Sequence, residues 1–193
     1  LDFIGIGAPK CGTSWISTCL DEHPEICHSR RHETVFFENH NLYKKGPTHF
    51  QEYFAHCRPG QIRGEFTPTY LYSAEAAQRI KLAFPRVKLI VCLRNPIERA
   101  YSHYLAHERH GKNILWLNSF DEIQENQNNP YFQRGLYHEG LQRYISMFGR
   151  ENILILIHDD IKKDPQKFIQ GIYSFLSVAS DFVPPSLLKR LNA

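Results

Sequence analysis

Lys10 stands inside the run Phe3-Ile4-Gly5-Ile6-Gly7-Ala8-Pro9-Lys10-Cys11-Gly12-Thr13-Ser14-Trp15, whose residue types suit the holding of an anion. The run reads as a strand, a tight loop and a helix start. Gly7 and Gly12 let the backbone come close to a ligand. Free N–H groups around Gly12 to Ser14 would form an anion site at the helix start. Thr13 and Ser14 add hydroxyl donors and Lys10 a positive charge. In a Walker A loop the lysine follows glycine and precedes the Ser or Thr that binds magnesium; here it comes before the glycine. The dinucleotide pattern GxGxxG is absent too. A strand-to-helix turn without a ligand is the plain alternative.

Arg94 is the second candidate. It follows the apolar run Leu89-Ile90-Val91-Cys92-Leu93, at the carboxyl end of a buried strand, where open α/β sheets bind their ligands. Its planar fork suits a phosphate, or else a strand-end salt bridge. Ser102 lies eight residues further on, about two helical turns away and able to face the same side. Arg99 is expected in a surface pair.

These residues need elements to position them. Buried-strand runs occupy Phe3 to Ile6, Val87 to Leu93 and Ile153 to Ile157, with short strands near Glu25 to Cys27 and Gln61 to Gly64. Helical stretches are expected at Ser14 to Leu20, Ala74 to Ala83, Ile97 to His107 behind Pro96, Gly140 to Phe148 and Pro165 to Leu176. Alternating strands and helices imply an α/β fold with a mostly parallel central sheet of about five strands flanked by helices. The Asn-rich stretch from Glu108 to Gln133, with Trp116 and Phe120 as anchors, reads equally as a lid or as a solvated connection.

The chain's 193 residues suit one domain, 1–193. Hydrophobic residues make up 42% and charged residues 22%, and the net charge of +3 is too small to argue for nucleic acid as a partner. The five cysteines form no CxxC pair and no zinc spacing. They are read as reduced, which with the absence of a signal-peptide pattern gives a cytoplasmic expectation. No apolar run is long enough to span a membrane. The chain stops abruptly at Asn192-Ala193, so further C-terminal elements are expected. Oligomeric state is not legible.

Pro9-Lys10-Cys11-Gly12-Thr13-Ser14-Trp15 resembles the 5'-phosphosulfate loop of sulfotransferases that use 3'-phosphoadenosine-5'-phosphosulfate (PAPS), with Cys11 in place of a common Ser. Arg94 and Ser102 resemble the family's pair for the 3'-phosphate. The resemblance implies a P-loop-like three-layer sandwich, PAPS as donor, adenosine 3',5'-bisphosphate as product and no metal, the positive charges coming from Lys10, Arg94 and helix-start amides. It implies cofactor contacts along Pro9 to Trp15, with the Trp15 ring stacked on adenine, and it gives Lys10 the bridging oxygen of the leaving nucleotide. His32-Glu33-Thr34-Val35-Phe36-Phe37 resembles a stretch of the heparan sulfate N- and 3-O-sulfotransferases, and similar patterns mark bacterial sulfotransferase domains. This makes Glu33 the base, with Phe36 and Phe37 expected to desolvate it. His28 and His32 are rival bases. Gly64-Glu65-Phe66-Thr67-Pro68 is similar to a segment at the base of the family's acceptor cleft. There Phe66 replaces a frequent second lysine, and Glu65 either orients other groups or is structural. The acceptor would be a small molecule or glycan offering a hydroxyl or amine. A small-molecule kinase and a non-catalytic nucleotide-binding module are the alternative functions.

Overall fold

The computed structural model describes residues 1–109, 120 and 128–189. Five parallel strands form one sheet in the order β2-β3-β1-β4-β5. They are β1 (Phe3–Gly7), β2 (Ile26–His28), β3 (Ile62–Phe66), β4 (Lys88–Leu93) and β5 (Ile153–Ile157). The apolar runs explain the placement. All five residues of β1 are buried, as expected of a central parallel strand covered on both faces. Gly5 is required where it lies, because a Cβ there would stand 2.0 Å from the Phe66 ring on β3.

The connecting helices are α1 (Thr13–Asp21), α2 (His40–Tyr43), α3 (Gly46–Glu52), α4 (Ala74–Ala83), α5 (Pro96–Arg109), α6 (Pro130–Gln133), α7 (His138–Phe148), α8 (Asp159–Lys163) and α9 (Pro165–Leu176). Their starts follow from local chemistry. Ser73 caps α4 by accepting from Ala76 N at 3.0 Å, and Asp164 caps α9 by accepting from Lys167 N at 2.9 Å. Proline opens α5, α6 and α9, where its missing N–H costs nothing. The expected strands and five longer helices are present within a few residues of their expected bounds. One core runs through both faces of the sheet. A smaller cluster, Ala100 and Tyr131 with Tyr104, Phe120 and Phe132, joins α5 to α6.

Strand order explains where a ligand can enter. The chain leaves β1 toward β2 and β3 on one side, and leaves β4 toward β5 on the other. The carboxyl ends of β1 and β4 therefore flank the crevice that such a reversal opens. Among the described residues no helix is long and apolar enough to cross a membrane.

Candidate active site

The loop after β1 is tied to β4 by the Ala8 N–H, which donates to the Cys92 carbonyl at 2.8 Å. Lys10 and Gly12 both lie at positive φ, 68° and 80°. A non-glycine residue held there is strained, a condition common at functional sites. A residue with a Cβ would be strained in place of Gly12, by the positive φ and by contacts of 3.0 Å to Ile161 and 3.2 Å to His158. Among the described residues no side chain caps α1, so its first-turn N–H groups have no side-chain acceptor there. The Cys11 thiol is buried, and burial pushes it up to about 11 against the pull of Tyr137, Arg99 and Arg94. It is therefore no nucleophile near neutrality. Burial lowers the pKa of the Lys10 ammonium; Arg109 adds to the effect and Glu33 opposes it. Lys10, Arg109 and Glu33 thus share one electrostatic neighbourhood.

Arg94 stands at the end of β4, beside this loop. Its backbone carbonyl accepts from Tyr137 Oη at 2.9 Å, and that hydroxyl is 4.0 Å from Cys11 Sγ. The guanidinium donates from Nε and Nη2 to Glu98 Oε2, at 3.1 and 3.0 Å. Glu98 is half exposed, so the fork can turn to another anion for the loss of one weak surface pair. Ser102 is half-buried on α5.

The expectations for Arg99, for the Phe36-Phe37 pair and for the cysteines need correction. Arg99 is not in a surface pair but fully buried. It donates from Nη2 to the Tyr131 carbonyl and meets His103 Nδ1 at 3.3 Å, while its Nε is buried with no hydrogen-bond partner among the described residues. Trp15 is not exposed but 7% accessible. Its Nε1–H donates to the Ser186 and Leu187 carbonyls, 3.3 Å each, and its ring lies 6.0 Å from that of Phe168. It fastens the 186–187 segment to α1. Nor do Phe36 and Phe37 desolvate Glu33. They turn into the core against Phe50 and Tyr70, and Glu33 is exposed. The backbone reverses at Val35, where φ is +48°, and this sends the rings one way and the carboxylate the other.

The rival base His28 is a core histidine. It pairs with Ser17 Oγ at 3.1 Å and stacks on Phe66, and burial drives its pKa down to about 4. His32 is exposed. Phe66 is buried against β1, so a core ring fills this position. Glu38 was missed. It is half-buried and accepts from Thr69 Oγ1 at 2.7 Å; burial raises its pKa, as does Glu33, while Thr69 and Arg134 oppose. Glu33 and Glu38 flank the Phe36-Phe37 pair, and only the reversal at Val35 reveals that both carboxylates come to one place. Burial, then Arg99, Arg134, His107 and Lys10, press His103 to about 3. Arg99, Arg134 and Lys10 therefore lie in one electrostatic neighbourhood around His103.

The cysteines are not all reduced. Cys27 and Cys57 form a disulfide, with Cα atoms 5.6 Å apart. Edge strand β2 and the turn after α3 bring the two sulfurs together, which spacing along the chain could not show. The bridge encloses the segment carrying both Glu33 and Glu38, and removes the reduced cysteine set as a basis for the cytoplasmic expectation. Cys11, Cys19 and Cys92 are free and buried. Of the expected lid, residues 110–119 (with Trp116) and 121–127 lie outside the described residues. Phe120 packs on Tyr101 and Tyr104, and Asn129 caps α6.

A family model described as a sulfotransferase domain matches residues 2–190. The mouse protein named bifunctional heparan sulfate N-deacetylase/N-sulfotransferase 4 is 28% identical over 199 residues, covering 93% of this chain and 22% of that protein. The membrane-associated sulfotransferase kil1 of Dictyostelium discoideum is 34% identical over 107 residues, 53% of this chain and 22% of its own length. The chain thus spans 22% of the length of these two relatives. The crystal structure of a sulfotransferase from Alicyclobacillus acidocaldarius superposes with a TM-score of 0.84 at 29% identity, covering 99% of this chain and 86% of that one. Mouse sulfotransferase SULT7A1 complexed with PAP shares the fold, with a TM-score of 0.60 at 20% identity over 97% of this chain and 62% of its own.

Proposed function

Since the chain belongs to the sulfotransferase domain family, we propose that it transfers a sulfuryl group from PAPS to a hydroxyl or amine of a glycan. The amides of Gly12 to Ser14 and the Lys10 ammonium hold the 5'-phosphosulfate, with Pro9, Cys11 and Trp15 shaping the loop. Arg94 and Ser102 take the 3'-phosphate. The observation that carries this reading is the placement of the Lys10 loop and Arg94 at the carboxyl ends of neighbouring strands, with Glu33 close enough to act on Lys10. Charge balance follows. The acceptor oxygen or nitrogen attacks sulfur and its proton passes to Glu33. The bond from sulfur to the phosphate oxygen breaks, and Lys10 stabilises the charge that collects on that oxygen. Support for a glycan comes from relatives named for heparan sulfate and from a half-buried edge where Glu38 and Arg134 can meet sugar hydroxyls.

Transfer of radiolabelled sulfate from PAPS to a panel of glycans tests the reading. Lys10→Ala should lower kcat about 100- to 1,000-fold and Glu33→Gln about 100- to 10,000-fold, with acceptor KM little changed. Full activity in both variants would refute these roles.

A further inference from the structure

Glu65, at the end of β3, is fully buried. Its Oε2 accepts from Thr34 Oγ1 and from Thr67 Oγ1, each at 2.8 Å, and its Oε1 is buried with no hydrogen-bond partner among the described residues. Thr34 Oγ1 also lies 3.0 Å from Tyr70 Oη, which accepts from the Phe37 N–H at 3.2 Å. Thr67 Oγ1 accepts from the Val35 N–H at 3.3 Å, and Thr34 Oγ1 accepts from the Phe36 N–H at 3.3 Å. Three consecutive backbone amides, 35 to 37, are thus held by hydroxyls, two of which converge on one carboxyl group. Val35 lies at the centre with φ +48°, a conformation a β-branched residue keeps only when its surroundings over-determine it. Glu33 precedes this turn and Glu38 follows it.

We propose that Glu65 is a positioning residue for the reaction: its carboxyl group locks the reversal at Val35 and so sets Glu33 and Glu38 at the crevice. The inference rests on the role given to Glu33 above, but its geometry is independent of that role. No lysine, arginine or histidine among the described residues bonds to or ion-pairs with Glu65. The group is enclosed by the hydroxyls of Thr34, Thr67 and Tyr70 and the Thr34 backbone, and burial raises its pKa to about 7. With no countercharge beside it among the described residues, the carboxyl group is held by these hydroxyls and the Thr34 backbone, which fixes the geometry of the segments that carry them.

The test compares Glu65→Gln, which keeps an acceptor oxygen at the same place, with Glu65→Ala and Thr34→Val. Glu65→Ala and Thr34→Val should lower kcat 10-fold or more, leaving the Kd for adenosine 3',5'-bisphosphate within 2-fold. Glu65→Gln should keep kcat within about 3-fold. Hydrogen exchange of amides 34–38, compared at one pH, should quicken 10-fold or more in Glu65→Ala, with the loop 8–14 unchanged. This last readout stands even if the wild-type chain shows no sulfuryl transfer, an outcome that would strike the proposed function alone. Unchanged exchange at 34–38 in Glu65→Ala would overturn the positioning role. So would equal loss of structure at both segments, or a Glu65→Gln variant as impaired as Glu65→Ala.

Discussion

Lys10 and Glu65 are both partly or wholly removed from water, yet for opposite purposes. Burial makes Lys10 a readier proton donor and a less shielded charge, which fits the role proposed for it against the charge that develops during transfer. Burial makes Glu65 a reluctant anion. Its folded pKa, about 7, is raised above the ordinary 4.5, so the folded state holds its proton more tightly. The stability this gives is fully present below pH about 4.5 and is lost as pH rises through about 7. The Tm of the wild-type chain, measured against Glu65→Gln from pH 4.5 to 7.5, should therefore decline with pH, by at most about 1.4 kcal/mol of stability per pH unit. A flat difference would show that Glu65 is ionised throughout. At this scale the strand, tight loop and helix start from Phe3 to Trp15 were legible, because glycine, lysine and hydroxyl residues carry their chemistry in their order. Glu65 and Glu38 were not, because their surroundings are assembled from β3, the turn at Thr67–Tyr70 and the reversal at Val35, far apart in sequence. Arg99 misled for a related reason: a side chain's type does not say whether another segment will cover it.

The segment between β2 and β3 is held at two levels, by the Glu65 network inside and by the Cys27–Cys57 bridge at its ends. Removing the bridge frees a loop of sequence separation 30, which by chain entropy costs about 2–4 kcal/mol. Cys57→Ser should thus lower Tm by roughly 5–15 °C. It should depress kcat more than affinity for adenosine 3',5'-bisphosphate, because the loop after β1 lies outside the enclosed segment. Equal loss of both would mean that the bridge supports the whole sheet. The strands and long helices were readable from apolar runs, Pro96 and Pro165. Helices α2 and α3 were not: four and seven residues are too few to show a helical period.

Across the whole molecule, the order β2-β3-β1-β4-β5 brings two distant stretches, residues 8–14 and 94–102, to one crevice. Alternating strands and helices implied a parallel sheet, but strand order is not written in periodicity, and only the family resemblance joined the two motifs beforehand. The central claim is that this crevice holds a nucleotide carrying both a 5'- and a 3'-phosphate. Calorimetric titration with adenosine 3',5'-bisphosphate, set against ATP, tests it most directly. The expected result is firm binding of the bisphosphate and weak binding of ATP, with a loss of about 1.5–3 kcal/mol in Arg94→Ala, as for a hydrogen bond to a charged group. Equal affinity for both nucleotides, or an Arg94→Ala variant that binds the bisphosphate as well as the wild type, would contradict it.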